Sequence, residues 1–248
     1  METRIKFVDE PGRLILAWQA AELTGDRYRW AVGEVAREPD GAMFRYYRGE
    51  EFRRLNDDRD EAAARRARFL GYPAFDLRTD VFRDGVIEAF LRRLPPRSRA
   101  DFTRYLKHFW LRSADTLGAF VLLAVTEAKL PSDGFSLVDP LDAGALRRDL
   151  VFEIAGHRRH PAGRDEQVVG QEVRLVAEPD NPHTRHTVRI DANGVTIGYA
   201  NRPQAPTLRH WLETRSVRAR LLRLCGTEER PRAFVFVGVR EREDRQAA

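Results

Sequence analysis

Hydrophobic residues fall into distinct kinds of stretch along the chain. "RLILAWQ" (13–19), "YRWAVGEV" (28–35) and "AMFRYY" (42–47) alternate or run apolar, with Gly25-Asp26 and Pro39-Asp40-Gly41 between them. Strand-like patterning bounded by turn residues predicts an antiparallel meander. Residues 49–75 are rich in Ala, Arg and Glu and are stopped by Gly71 and Pro73, which predicts a helix or a charged linker. "DGVIEAFLRRL" (84–94) sets Val86, Ile87, Phe90, Leu91 and Leu94 at helical spacing and ends at Pro95-Pro96. "SRADFTRYLKHFWL" predicts a helix capped by Ser98, with Phe102, Tyr105, Leu106 and Phe109 on one face. "ADTLGAFVLLAVTEA" (114–128) is apolar nearly all round, the pattern of a buried helix.

"PSDGFSLVDPLDAG" then returns to turn chemistry, and a boundary is expected near residue 145. Strand-like alternation restarts in "LRRDLVFEIAG" and continues in "QEVRLVAE" (171–178), "HTVRID" (186–191) and "VTIGYA" (195–200). Asp191-Ala192-Asn193-Gly194 supplies a tight hairpin between the last two. "APTLRHWLE" (205–213) reads as one short helix with Leu208, Trp211 and Leu212 inward, and "RSVRARLLRL" and "RAFVFVGV" as two closing strands around Gly226. The expected fold class is α+β. An N-terminal meander with helices (1–145) precedes a small barrel with one short helix (146–240) and a disordered tail (241–248).

Composition narrows the class. The chain has 248 residues, 42% apolar and 33% charged, with a net charge of +5. No apolar run reaches the roughly 20 residues that span a bilayer, and "METRIKFVDE" carries charge where a signal peptide needs apolar residues, so a cytoplasmic protein without membrane contact is expected. Cys225 is alone, which excludes an intrachain disulfide; it reads as core packing rather than a nucleophile. Only Lys6, Lys107 and Lys129 are lysines, and the other basic residues are arginines. Arginine binds phosphate bidentately and stacks on bases, which suits nucleic acid, although a compositional preference for arginine gives the same count.

Catalytic signatures are missing from the sequence: no phosphate-cradling glycine loop, no nucleophile elbow, no kinase motif set. A non-enzyme without a cofactor is expected. The histidines stand out, because His157-Arg158-Arg159-His160 and His183-Thr184-Arg185-His186 are both H-x-x-H. Four imidazoles suit zinc, and a metal-dependent hydrolase is the reading that would use them. The flanking arginines repel a dication, so contact with an anion or with solvent is the expected role and no metal is assigned.

The segment "EPDNPHTRHTVRIDANGVTIGYANR" (178–202) resembles the HIRAN domain, a small β-barrel module, through Glu178-Pro179-Asp180-Asn181-Pro182, His183 to Val188, and Ile197-Gly198-Tyr199-Ala200-Asn201-Arg202. The upstream "FEIAGHRRHP" is similar to the family's first strand, and the resemblance covers roughly 149–240. It implies an SH3/OB-like barrel and binding of nucleic acid, DNA in preference to RNA. Some members grip a free 3′ end of single-stranded DNA through a Tyr and an Asp after Asn-Pro. Here those positions hold His183 and Thr184, and the later Asn is His186, so a general single-strand groove fits better than end capture. The implied contact set is His157, Arg158, Arg159, His160, Asn181, His183, Arg185, His186, Tyr199 and Arg202.

The first 145 residues resemble the N-terminal subdomain of HipA-type toxin kinases in "RLILAWQ", "VGEV", "FRYY", "FLGYPAF" and "AFLRRLPPRSRADFTRYL". The kinase motifs are absent, so the resemblance implies a protein-interaction module. The combined expectation is a nucleic-acid-binding adaptor with a possible protein partner. The alternative is a toxin–antitoxin partner in which the HIRAN barrel is only structural.

Overall fold

The computed structural model describes residues 5–20, 28–111, 117–130, 132–178 and 187–242. Two compact units emerge: Glu10–Pro140, and Leu141 onward together with the first nine residues. The Gly25-Asp26 turn and most of the expected tail fall outside the described residues.

The first unit holds a four-stranded antiparallel sheet of β1 (Arg13–Gln19), β2 (Arg29–Glu38), β3 (Gly41–Tyr46) and β4 (Phe135–Val138), in the order β3-β2-β1-β4. β4 lies in a stretch read from sequence as turn. It is four residues long and buried throughout, so it shows no alternation and hides between Gly134 and Pro140. The ambiguous 49–75 segment forms two short helices, α1 (Gly49–Leu55) and α2 (Glu61–Arg66), the second capped by Asp60 accepting from the Ala63 amide at 2.8 Å.

Three further helices complete this unit: α3 (Val86–Leu91), α4 (Phe102–Lys107) and α5 (Ala119–Thr126). α4 starts later than Ser98 predicts, because backbone bonds from Arg99 to Pro96 and from Phe102 to Arg99 tie that stretch into turns. α5 is buried as expected but shorter than 114–128, ending where Glu127 and Ala128 adopt positive φ. Aromatic rings fill the core. Phe44 stacks on Phe75 at 4.6 Å between ring centroids, and the Tyr46 hydroxyl donates to the Phe75 carbonyl at 2.8 Å.

The second unit is a six-stranded antiparallel sheet of β5 (Arg148–Glu153), β6 (Glu172–Glu178), β7 (Thr187–Ala192), β8 (Val195–Tyr199), β9 (Ser216–Gly226) and β10 (Pro231–Arg240). Its order is β5-β10-β9-β6-β7-β8, and α6 (Ala205–Thr214) supports it. Period-two alternation sends Phe152, Val173, Leu175, Val188, Ile190, Ala219, Leu221, Val235 and Val237 to one face, where Leu208 and Trp211 of α6 cover them. Each large apolar side chain buried there contributes about 1.5–3 kcal/mol. The expected barrel takes the form of a sheet whose two edge strands meet through one bridge, Ala155 to Tyr199, and not through a continuous ladder.

Residues Lys6 and Phe7 are anchored to this unit by Asp149, whose carboxylate accepts both backbone amides and the Arg240 guanidinium. Cys225 is exposed rather than packed in the core. It pairs with Arg232 at the far end of β9, beside Gly226 and beyond the core-lining residues. Among the described residues no helix is long and apolar enough to cross a membrane.

Candidate nucleic-acid interface

The edge where β5 runs out against β8 gathers the candidate residues. After Ile154 the chain pairs Ala155 with Tyr199 in both directions, N to O at 2.8 and 2.9 Å. Gly156 then turns at φ 73° into a 3₁₀ turn, His157–Arg159. Such an approach needs glycine on the facing strand. A Cβ at Gly198, which has φ +140°, would sit 2.5 Å from the Ala155 carbonyl oxygen.

A bulge in β8 sets the polarity of the site. The register shifts between Ile190 and Asp191, so Ile197 has no partner of its own on β7. Its carbonyl accepts instead from His157, whose Nδ1 lies 2.9 Å away. The His157 ring is 3% exposed, and burial holds its pKa below the ordinary 6.5. It is therefore neutral at pH 7, with Nδ1 carrying the proton. This histidine fixes the turn and does not face a ligand.

The neighbours of His157 do face outward. Arg158 and Arg159 are exposed, while His160 is half-buried and meets Tyr199 edge to face at 5.6 Å between ring centroids. Burial, then the charge of Arg159, lowers the His160 pKa, so this ring is also neutral at pH 7. Burial and the nearby Glu178 raise the Tyr199 pKa, which keeps the phenol protonated and able to donate. Arg202 is half-buried at the start of a 3₁₀ turn (Arg202–Gln204), just after the buried Asn201.

Sequence reading missed the residues around Tyr199. Arg189 is its partner across the strands and bonds Asp191 through Nε (2.9 Å) and Nη2 (3.0 Å), and Glu178 through Nη1 (2.5 Å). Glu178, Arg189 and Asp191 are outward positions of a hairpin, and their opposite charges on facing strands were the available signal. They set one guanidinium against two carboxylates on the floor beside Tyr199, an excess of one negative charge, while the exposed arginines of this edge are Arg158 and Arg159.

The structure thus brings together Arg158, Arg159, His160 and Tyr199, and places His157 beneath them. Asn181, His183, Arg185 and His186 lie outside the described residues, although the flanks of that stretch, Glu178 and Thr187, are paired partners on β6 and β7. Among the described residues no group of three or more His, Cys, Asp or Glu side chains is arranged to hold a metal.

Comparison with family models gives a match within this unit. Residues 148–232 match the family model of the HIRAN domain, so a HIRAN domain occupies that segment. The crystal structure of the HIRAN domain of human HLTF is similar, with 16% identity over 37% of this chain and 74% of that chain, and a TM-score of 0.29. No curated protein matches the chain.

Proposed function

From the HIRAN domain at residues 148–232 we propose that the chain is a non-catalytic, single-strand-binding adaptor, with DNA as its preferred nucleic acid. One observation carries the reading: a neutral His160 packed on Tyr199 beside exposed Arg158 and Arg159, on the 3₁₀ turn that follows β5. Rings that stack bases beside guanidinium groups that meet phosphates are sufficient for sequence-tolerant binding of single strands. The Glu10–Pro140 unit serves protein contact in this reading, in line with the HipA-type resemblance, and Leu70, 86% exposed, offers it an apolar anchor.

The test is a titration of the full chain against single- and double-stranded oligonucleotides at two salt concentrations. His160→Ala is expected to weaken single-strand binding by about 1–3 kcal/mol, the scale of a lost stack. Arg159→Ala should weaken it and also reduce its salt dependence. No binding at low salt by the wild type would turn the reading toward a protein partner.

A further inference from the structure

The strands next to β5 in the same sheet, β10 and β9, carry a second feature. On the face turned away from the core, β10 presents Phe234 and Phe236, both half-buried, with Arg223 and Arg220 as their partners on β9. The Arg223 guanidinium lies 4.2 Å from the Phe234 ring centroid, and Arg220 lies 5.2 Å from that of Phe236. Arg232 also covers Phe234, at 5.2 Å, while bonding Glu153 through both ends of its guanidinium at 2.8 and 2.7 Å. Further along β9, Arg218 is exposed and forms no ion pair among the described residues.

Charge and planarity together decide what this face suits. Glu153 is taken by Arg232 and Asp149 by Arg240, and the acidic side chain left in register is Glu172, opposite Arg220 on β6. Positive charge therefore remains along β9 at Arg218 and Arg220, which form no ion pair among the described residues. Guanidinium groups over phenyl rings can accept a base on their free side or swing to a phosphate and release the ring for stacking. An acidic peptide would satisfy the charge, but its carboxylates offer the stacks far less aromatic surface than a run of bases does.

We propose that this outer face of β5, β10 and β9 is a second subsite for single-stranded nucleic acid. It deepens the function proposed above and rests on it, since a strand held at the His160–Tyr199 edge would continue across β5 onto Phe234 and Phe236. Arg218, Arg220 and Arg223 take its phosphates.

Fluorescence anisotropy on the full chain tests this with a short oligothymidylate of about 4 nucleotides and a long one of about 16. Arg220→Ala/Arg223→Ala should weaken the long probe about tenfold or more and leave the short one within about twofold. Arg218→Glu, at an exposed position where folding is not at stake, should act in the same selective direction. His160→Ala should weaken both lengths.

Selective loss of the long probe in the arginine variants supports the second subsite even if His160→Ala changes nothing, an outcome that would remove only the strand-edge site. Wild-type affinity for the long probe in Arg218→Glu overturns the proposal while leaving the edge site intact. Equal loss at both lengths in Arg218→Glu also overturns it, as does a change of sedimenting mass without a change in binding, which would make the face a contact between copies. A wild type that binds neither probe overturns both readings.

Discussion

At His157 a ring exchanges hydration for a single hydrogen bond, from Nδ1 to the Ile197 carbonyl, and burial disfavours its charged form. The consequence for stability has a definite sign. A folded pKa below the unfolded 6.5 means that the unfolded chain binds the proton more readily. The contribution is fully present above 6.5 and is lost as pH falls through the lower folded value. The melting temperature is therefore expected to be level near pH 7 and above, and to fall at more acid pH. His157→Gln should flatten that fall, and an unchanged profile in this variant would show that the titration lies elsewhere. Asp149 makes a different case: its side chain is 1% exposed and serves two backbone amides and Arg240. Asp149→Ala should cost about 3–5 kcal/mol, because it leaves those donors without their acceptor. Chemical denaturation would measure this, and a loss below about 1 kcal/mol would mean that water replaces the carboxylate.

Among the elements, strands were easier to read than helices. β7, β8 and β10 lie within a residue or two of the sequence expectation because each packs one face on a core, and β1, buried from Leu14 to Trp18, was legible as a continuous apolar run. β4 was missed because it is only four residues long and Ser136 breaks its apolar run, which leaves neither alternation nor a continuous stretch to detect. Of the site, the Arg158–His160 run and Tyr199 were legible as motif residues, but their meeting was not. It depends on a bulge at Ile197 and a bridge between residues 155 and 199, which no local pattern encodes. The strand edge also makes a sharp prediction. Gly198→Ala places a methyl group on the Ala155 carbonyl at a φ that L-residues rarely adopt. Strain alone costs about 1–3 kcal/mol. The variant should lose stability by at least that amount, and amide exchange should quicken at Ala155 and Tyr199 first. A stable variant with both amides still protected would show that the bridge tolerates a side chain.

For the molecule as a whole, a net charge of +5 spread over two units says little until its placement is known. Many arginines of the C-terminal unit serve the fold: Arg189 is bonded to Glu178 and Asp191, Arg232 to Glu153, and Arg240 to Asp149. The exposed guanidinium groups at the strand edge are those of Arg158 and Arg159. Each single-strand phosphate neutralised makes the slope of log affinity against log salt more negative by about 0.7, so two contacts predict a slope of about −1.4. His160 adds nothing at pH 7, because its pKa is lowered by burial and by Arg159. As pH falls through that lowered value the ring gains a proton, and its charge then faces the same phosphates. Affinity should consequently be flat above about pH 7 and rise at lower pH, with a steeper salt slope there. His160→Gln should bind with the same salt slope at both ends of the range. Binding that ignores salt at every pH would mean that the arginines of this edge meet no phosphates, and the nucleic-acid reading would fall with it.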